Sequence, residues 1–195
     1  MQFILGSSSP RRKELLESIG IIPDLIISPD IDESNLKDEL PIACAKRLAK
    51  NKALKILNEY PNALILTADS IAFCGRRIID KTDNIDVARK YLQLLSGRRH
   101  KVITSIYLLN SIRSISKTIQ TVLNFKKLTN QEIEKYLESK EWVNVAGAYK
   151  IQGSAASFVK SINGSYTNVV GLPLYEVRNM LSSIGYLLRH QKAIY

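Results

Sequence analysis

Phe3-Ile4-Leu5-Gly6-Ser7-Ser8-Ser9-Pro10-Arg11-Arg12-Lys13-Glu14-Leu15-Leu16 opens the chain. Phe3-Ile4-Leu5 reads as a short apolar strand, and Ser7 to Ser9 as the turn after it. Ser9-Pro10 is a helix start: a serine N-cap, then a proline at the first helical position, where its missing N–H costs nothing. Arg11 and Arg12 then fall at the second and third positions, facing the positive end of the helix dipole. Acids are preferred there, and each misplaced exposed charge costs roughly 0.3–1 kcal/mol. Arg12 also stands where an acid would complete a capping box. Two readings remain open. Either the arginines turn back into water, or an anion occupies the helix start, held by backbone N–H groups, serine hydroxyls and guanidinium forks. On spacing alone the segment supports a phosphate site.

Working outward, Leu25-Ile26-Ile27-Ser28 reads as a second strand, followed by the acidic loop Asp30-Ile31-Asp32-Glu33. Residues 41–60 have helical spacing, with Ile42, Ala45, Leu48, Ala49, Ala53, Ile56 and Leu57 apolar. Ala63-Leu64-Ile65-Leu66-Thr67-Ala68 is a continuous apolar run ending at Asp69, the pattern of a buried central strand. Ile71-Ala72-Phe73 continues into a hairpin through Gly75 toward Ile78-Ile79. A helix over 85–95 is stopped by Ser96-Gly97. Strands over 101–109 and 114–125 follow, then a helix over 131–139, a strand over 157–162 and a helix over 174–184. There is no repeat, low-complexity segment or linker. Helices alternate with strands early and a hairpin occupies the middle, so a mixed α/β sheet is expected rather than a purely parallel one. Neither GxGxxG nor a P-loop pattern appears, so any phosphate site is of another type.

A chain of 195 residues can bury a proper core and is expected to form one domain, 1–195, in two lobes. Its 45% hydrophobic and 24% charged residues are ordinary for a soluble globular protein. No apolar run approaches the ~20 residues that cross a bilayer. Ser7 to Arg12 interrupt any signal-peptide core at once. Cys44 and Cys74 suggest neither a disulfide framework nor a zinc site. A cytoplasmic location is expected, without a membrane partner. The formal charge of +10 implies polyanionic company. Aromatic residues make up 7%, which counts against a single-strand stacking platform and so against a nucleic-acid partner.

Several side chains could carry chemistry. Asp69, just past the apolar run, could reach a metal or a water where α/β sheets place ligands, or could simply cap a turn. Lys52 lies inside the apolar stripe of its helix, about 40° from Leu48 at ~100° per residue. There it must snorkel, pair with an acid, or point into a site. Lys81 could supply another phosphate-binding cation or lie in solvent. Glu33, with Asp32, offers hard oxygens suited to magnesium or manganese. Gln152 sits in the glycine-flanked stretch Gly147-Ala148-Tyr149-Lys150-Ile151-Gln152-Gly153. Its amide offers an acceptor and a donor side by side, which complements the imide edge of uracil or thymine. His100 and His190 read as structural or exposed, and no catalytic triad assembles.

In this order, these residues closely resemble the Maf family of nucleotide pyrophosphatases. The matching stretches are Ser7–Arg12, Arg47-Leu48-Ala49 with Lys52-Ala53, Ala68-Asp69-Ser70, Leu95–His100, Ala146–Gly153 and Gly164–Leu174. The resemblance implies an elongated mixed α/β fold like that of the inosine triphosphate pyrophosphatases, with a cleft between two lobes. It implies hydrolysis of nucleoside triphosphates to monophosphate and pyrophosphate with a divalent metal, Mg2+ or Mn2+, and a homodimer. Asp69 matches the acidic residue assigned as proton acceptor, and Asp69 or Glu33 would hold the metal. Ser7, Arg12, Lys52 and Lys81 match phosphate-handling positions. Arg11 and Gln152 resemble the dTTP/UTP branch, which also accepts modified uridine triphosphates, and Ser70 keeps the hydroxyl of that branch's threonine. Two departures stand out: the usual Gly-Lys-Pro is Asp80-Lys81-Thr82, and the usual Asp-Lys before Ala-Gly is Asn144-Val145. Altered substrate affinity is expected from them. The rival expectation is a nucleotide- or nucleic-acid-binding regulator of cell division with little hydrolysis.

Overall fold

One mixed sheet gathers the apolar runs of the chain in a computed structural model that describes residues 1–186. Its strands are β1 (Phe3–Gly6), β2 (Leu25–Ile27), β3 (Leu64–Cys74), β4 (Arg77–Ile79), β5 (Arg99–Leu109), β6 (Ser114–Phe125) and β7 (Val159–Asn163). The helices are α1 (Pro10–Glu17), α2 (Pro41–Glu59), α3 (Ile85–Leu95), α4 (Asn130–Glu138), α5 (Tyr166–Val170) and α6 (Leu174–Ser183). The strand order is β2-β1-β3-β5-β6-β7, with β4 also on β3. β1 pairs in parallel with β2 and β3, and every other pairing is antiparallel. Helical crossovers make the parallel part, while tight turns make the hairpins. Asn110 closes the β5–β6 turn by accepting the N–H groups of Ile112 and Arg113 at 2.9 Å each.

One boundary departs from the sequence expectation, and it decides where the site lies. Asp69 does not follow a strand end. β3 continues through it to Cys74. β5 lines one edge of β3 from Ile65 to Phe73. On the other edge β1 stops at the Gly6–Thr67 pair, and β4 begins only at the Ala72–Ile79 pair. Ala68 to Ile71 therefore face a gap in the sheet, with no strand beside them. Smaller departures follow from local chemistry. Residues 154–158 form a 3-10 turn, so β7 starts at Val159. The short α5 was not expected. Its cap is the Ser165 hydroxyl, which accepts the Asn168 N–H at 3.2 Å.

The α2 stripe packs on the sheet through Ala45, Leu48, Ala49, Ala53 and Ile56, all buried. Gly6 lets it come close: a Cβ there would lie 2.6 Å from both Ile56 Cδ1 and Thr67 Cγ2. Among the described residues the apolar core is divided into four clusters. Phe3, Leu5, Leu66 and Leu181 belong to one cluster. Leu92, Phe125, Trp142 and Tyr149 belong to another, beneath α3 and α4. No described helix is long and apolar enough to cross a membrane.

Candidate active site

The gap in the sheet is filled by side chains rather than by a strand. Arg12, from the first turn of α1, reaches across it. Its Nη1 donates to the Ala68 carbonyl at 2.8 Å and to Ser7 Oγ at 3.1 Å. Its Nε donates to the Gly171 carbonyl at 2.8 Å and its Nη2 to Ser70 Oγ at 3.1 Å. All four acceptors are neutral, so the cation is fixed without being neutralised. Burial lowers the Arg12 pKa from its ordinary value, and the nearby Asp69 charge opposes that shift. Ser9 occupies the N-cap position of α1 but its side chain caps nothing. Instead its N–H donates to Ser7 Oγ at 3.2 Å.

Asp69 and Lys52 lie at the floor of the gap, both buried. Lys52 resolves its three readings by pairing with acids: its ammonium is 2.7 Å from Asp69 Oδ1 and 2.7 Å from Glu33 Oε1. Lys81 stands 4.0 Å from the other Glu33 oxygen. Burial pushes the Glu33 pKa up, but the Lys52 hydrogen bond and the charges of Lys52, Lys81 and Arg12 outweigh it, so the carboxyl ionises more readily than usual. Ser70 meets Thr104 Oγ1 at 2.8 Å, and Thr104 donates to the Asn168 carbonyl at 3.2 Å. With Thr104's proton spent on Asn168, Ser70 donates to Thr104 and offers its own oxygen to Arg12.

Nine of the residues singled out in the sequence line one pocket: Ser7, Arg11, Arg12, Glu33, Lys52, Asp69, Ser70, Lys81 and Gln152. The same wall holds Lys150 and Tyr149, which sequence reasoning did not select. The signal for Lys150 was its place two residues before Gln152 in the glycine-flanked stretch. Five cations (Arg11, Arg12, Lys52, Lys81, Lys150) and two carboxylates (Glu33, Asp69) thus line the pocket. Asp32 takes no part and accepts the Ser34 N–H at 2.8 Å in an exposed turn. His100 is buried against Tyr149, as a structural histidine would be, while His190 lies outside the described residues. Cys44 and Cys74 are free thiols, and burial raises the Cys44 pKa to about 11.

No group of three or more His, Cys, Asp or Glu gathers for a metal among the described residues. The two carboxylates that converge on Lys52 are nevertheless the right donors for one magnesium-like ion. Such an ion uses one or two carboxylates and completes its shell with waters and substrate phosphate oxygens. A fully protein-made cage is not required. Chemically, the pocket can receive a polyanion, hold it by its oxygens and present a buried carboxylate to it.

Comparison with known proteins gives the relatives of this chain. The family model described as Maf-like protein matches residues 2–184. A nucleoside triphosphate pyrophosphatase of Neorickettsia sennetsu is 48% identical over 99% of this chain and 93% of its own length. A dTTP/UTP pyrophosphatase of Wolbachia pipientis subsp. Culex pipiens is 48% identical over 92% of this chain and 93% of its own. Another dTTP/UTP pyrophosphatase, from Paramagnetospirillum magneticum, is 45% identical over 94% and 97% of the two chains. Among solved structures, the Ham1 protein of Staphylococcus aureus superposes with a TM-score of 0.55 at 10% identity, covering 94% of this chain and 99% of its own. That likeness is one of fold, and it agrees with the expected inosine triphosphate pyrophosphatase-like architecture.

Proposed function

This chain belongs to the Maf family, and we propose that it hydrolyses dTTP, UTP and modified uridine triphosphates to the monophosphate and pyrophosphate. The observation that carries this reading is the pocket itself: a surplus of cations around the Lys52–Asp69–Glu33 cluster, with Gln152 on the same wall. A triphosphate supplies the charge those cations lack. Arg11, Arg12, Lys81 and the Ser7 hydroxyl hold phosphate oxygens. Lys52 keeps Asp69 oriented and balances its charge. Asp69 positions a water for in-line attack on the α-phosphorus and takes its proton as the bond to the bridging oxygen breaks. Glu33 and Asp69 would hold a magnesium or manganese ion, which supplies charge neutralisation on the phosphate oxygens. Gln152 pairs with the imide edge of the base, and Arg11 and Ser70 complete the selection.

The chain is read as one unit over 1–195, acting in the cytoplasm as a homodimer that clears non-standard nucleotides. Light scattering at assay concentration tests the dimer. For the activity, pyrophosphate release is measured from dTTP, UTP, 5-methyl-UTP, 7-methyl-GTP, dITP and ATP with magnesium or manganese. Release confined to the uracil and thymine nucleotides is expected, with Asp69→Asn lowering kcat by at least about 100-fold, as loss of a general base does. Undiminished turnover by Asp69→Asn would sink the assignment of that residue, and silence across the panel would sink the activity.

A further inference from the structure

Gln152 stands at the exposed end of a segment that is fixed from beneath by buried rings, and we propose that His100 and Tyr136 are positioning residues for base selection, acting through Tyr149 and Lys150. This inference rests on the reading of Gln152 as the residue that meets the base. His100 Nε2 lies 2.8 Å from the Tyr149 hydroxyl, and both side chains are buried. One residue further on, the Lys150 N–H donates to the Tyr136 hydroxyl at 3.0 Å. Two successive residues of the segment are therefore each held by a buried ring. Those rings form one edge-on cluster. Phe125 contacts His100 at 4.8 Å and Tyr149 at 4.9 Å between centroids, and Phe158 joins Phe125 to Tyr136 at 6.2 and 5.4 Å.

The flanks are fixed as well. Gly147 and Ala148 both have positive φ, +86° and +53°, and a Cβ on Gly147 would lie 3.1 Å from the Tyr149 ring. A Cβ on Gly153 would fall 2.0 Å from Glu141 Oε2, the same oxygen that accepts the Ser154 N–H at 2.9 Å. Gln152 itself is exposed and its side chain makes no hydrogen bond among the described residues, so its placement is set by its neighbours. His100 holds Tyr149 at a cost, because its Nδ1 is buried without a partner among the described residues. A purely apolar side chain would avoid that cost but could not hold the hydroxyl. The geometry matters because telling uracil from cytosine depends on one donor–acceptor pair, and such pairs must be held to within roughly 0.5 Å.

The test is the ratio of kcat/KM for UTP to that for CTP, measured by pyrophosphate release with the full chain. Gln152→Ala, Tyr136→Phe and the double variant are compared, with His100→Phe as a second probe of the same frame. Tyr136→Phe is expected to lower the ratio roughly five- to tenfold, the effect of one lost hydrogen bond, through KM for UTP rather than kcat. In the Gln152→Ala background the same change should move the ratio by less than about twofold, since what it positions is gone. His100→Phe should behave like Tyr136→Phe. A ratio that falls in Gln152→Ala but not in Tyr136→Phe or His100→Phe overturns the inference and leaves base reading by Gln152 intact. Effects that add fully in the double variant also overturn it, because they mark a general structural role. An unchanged ratio in Gln152→Ala removes base reading and this inference together.

Discussion

Lys52 shows how one residue can be wrong for its helix and right for the molecule. An α2 stripe of alanine and leucine would pack more simply with an apolar residue at that position, yet the ammonium is buried between Asp69 and Glu33 at 2.7 Å from each. A buried pair of this kind adds little net stability, whereas removing one partner leaves the other desolvated and uncompensated. The two acids differ in exposure: Asp69 is buried, while Glu33 is nearly half exposed and can turn to water. The loss on removing Lys52 therefore falls mainly on Asp69. Lys52→Met is expected to destabilise the fold by about 2–4 kcal/mol, and adding Asp69→Asn should recover at least half of that. Urea denaturation of the two single variants and the double measures this directly. Pyrophosphate release should stay at least about 100-fold below the parent in all three. Recovery of stability without activity separates the structural part of the pair from its chemical part. A Lys52→Met protein as stable as the parent would show that Asp69 is not held by charge.

At the level of elements, the strands and helices were legible because hydrophobic periodicity reports burial directly. α2 and α3 end within a residue of where their spacing and stop signals place them, and β6 falls on its expected limits. What could not be read was pairing. The polar Asp69-Ser70 looked like a strand end because an apolar run stopped there. Whether a strand continues depends on its neighbour, and β5 carries β3 across the break. The gap that makes the site exists only in the strand order, which no local pattern encodes. The same holds for the two departures from the family's usual residues, which are 62 positions apart in sequence but meet in space. The Asn144 N–H donates to the Thr82 carbonyl at 3.0 Å, tying the Lys81 loop to the segment that leads to Gln152. Asn144 makes this bond at φ +54°, a left-handed conformation that asparagine tolerates and a β-branched residue does not. Asn144→Val is thus expected to cost about 1–2 kcal/mol of stability and to raise KM for UTP several-fold, as Lys81 loses its anchor. Asn144→Asp, equally at home in that conformation, should leave both near the parent values. Matched thermal melts and Michaelis curves decide it, and equal behaviour of the valine and aspartate variants would dissociate the link from substrate binding.

Across the whole molecule the question is what the charge of +10 serves. A protein that binds nucleic acid and one that binds a nucleotide can share the same total, but they place it differently. Here five cations and two carboxylates line one concave pocket, and concave placement focuses the field on a small anion. A polynucleotide needs a run of cations along a surface, each neutralised phosphate adding about 0.9 to the slope of log K against log salt. The two arrangements respond differently to ionic strength. For a triphosphate steered into this pocket, kcat/KM should fall on the order of tenfold as the Debye length shrinks from about 30 Å at 0.01 M to about 8 Å at 0.15 M. Once bound, the substrate sits within contact distance of its partners, so kcat should change little over the same range. A single-stranded oligonucleotide of mixed sequence, added at 0.15 M salt, should not compete at concentrations near KM if the pocket is what the charge serves, because a concave site suits a small anion rather than an extended backbone. The measurement is a salt titration of UTP hydrolysis with and without that oligonucleotide. Inhibition at concentrations near KM, vanishing steeply with salt, would assign the charge to a polynucleotide partner and make the pocket secondary. A salt-sensitive KM with no competition would assign it to the triphosphate, and the excess of basic residues over the whole surface would then act by raising the local concentration of substrate.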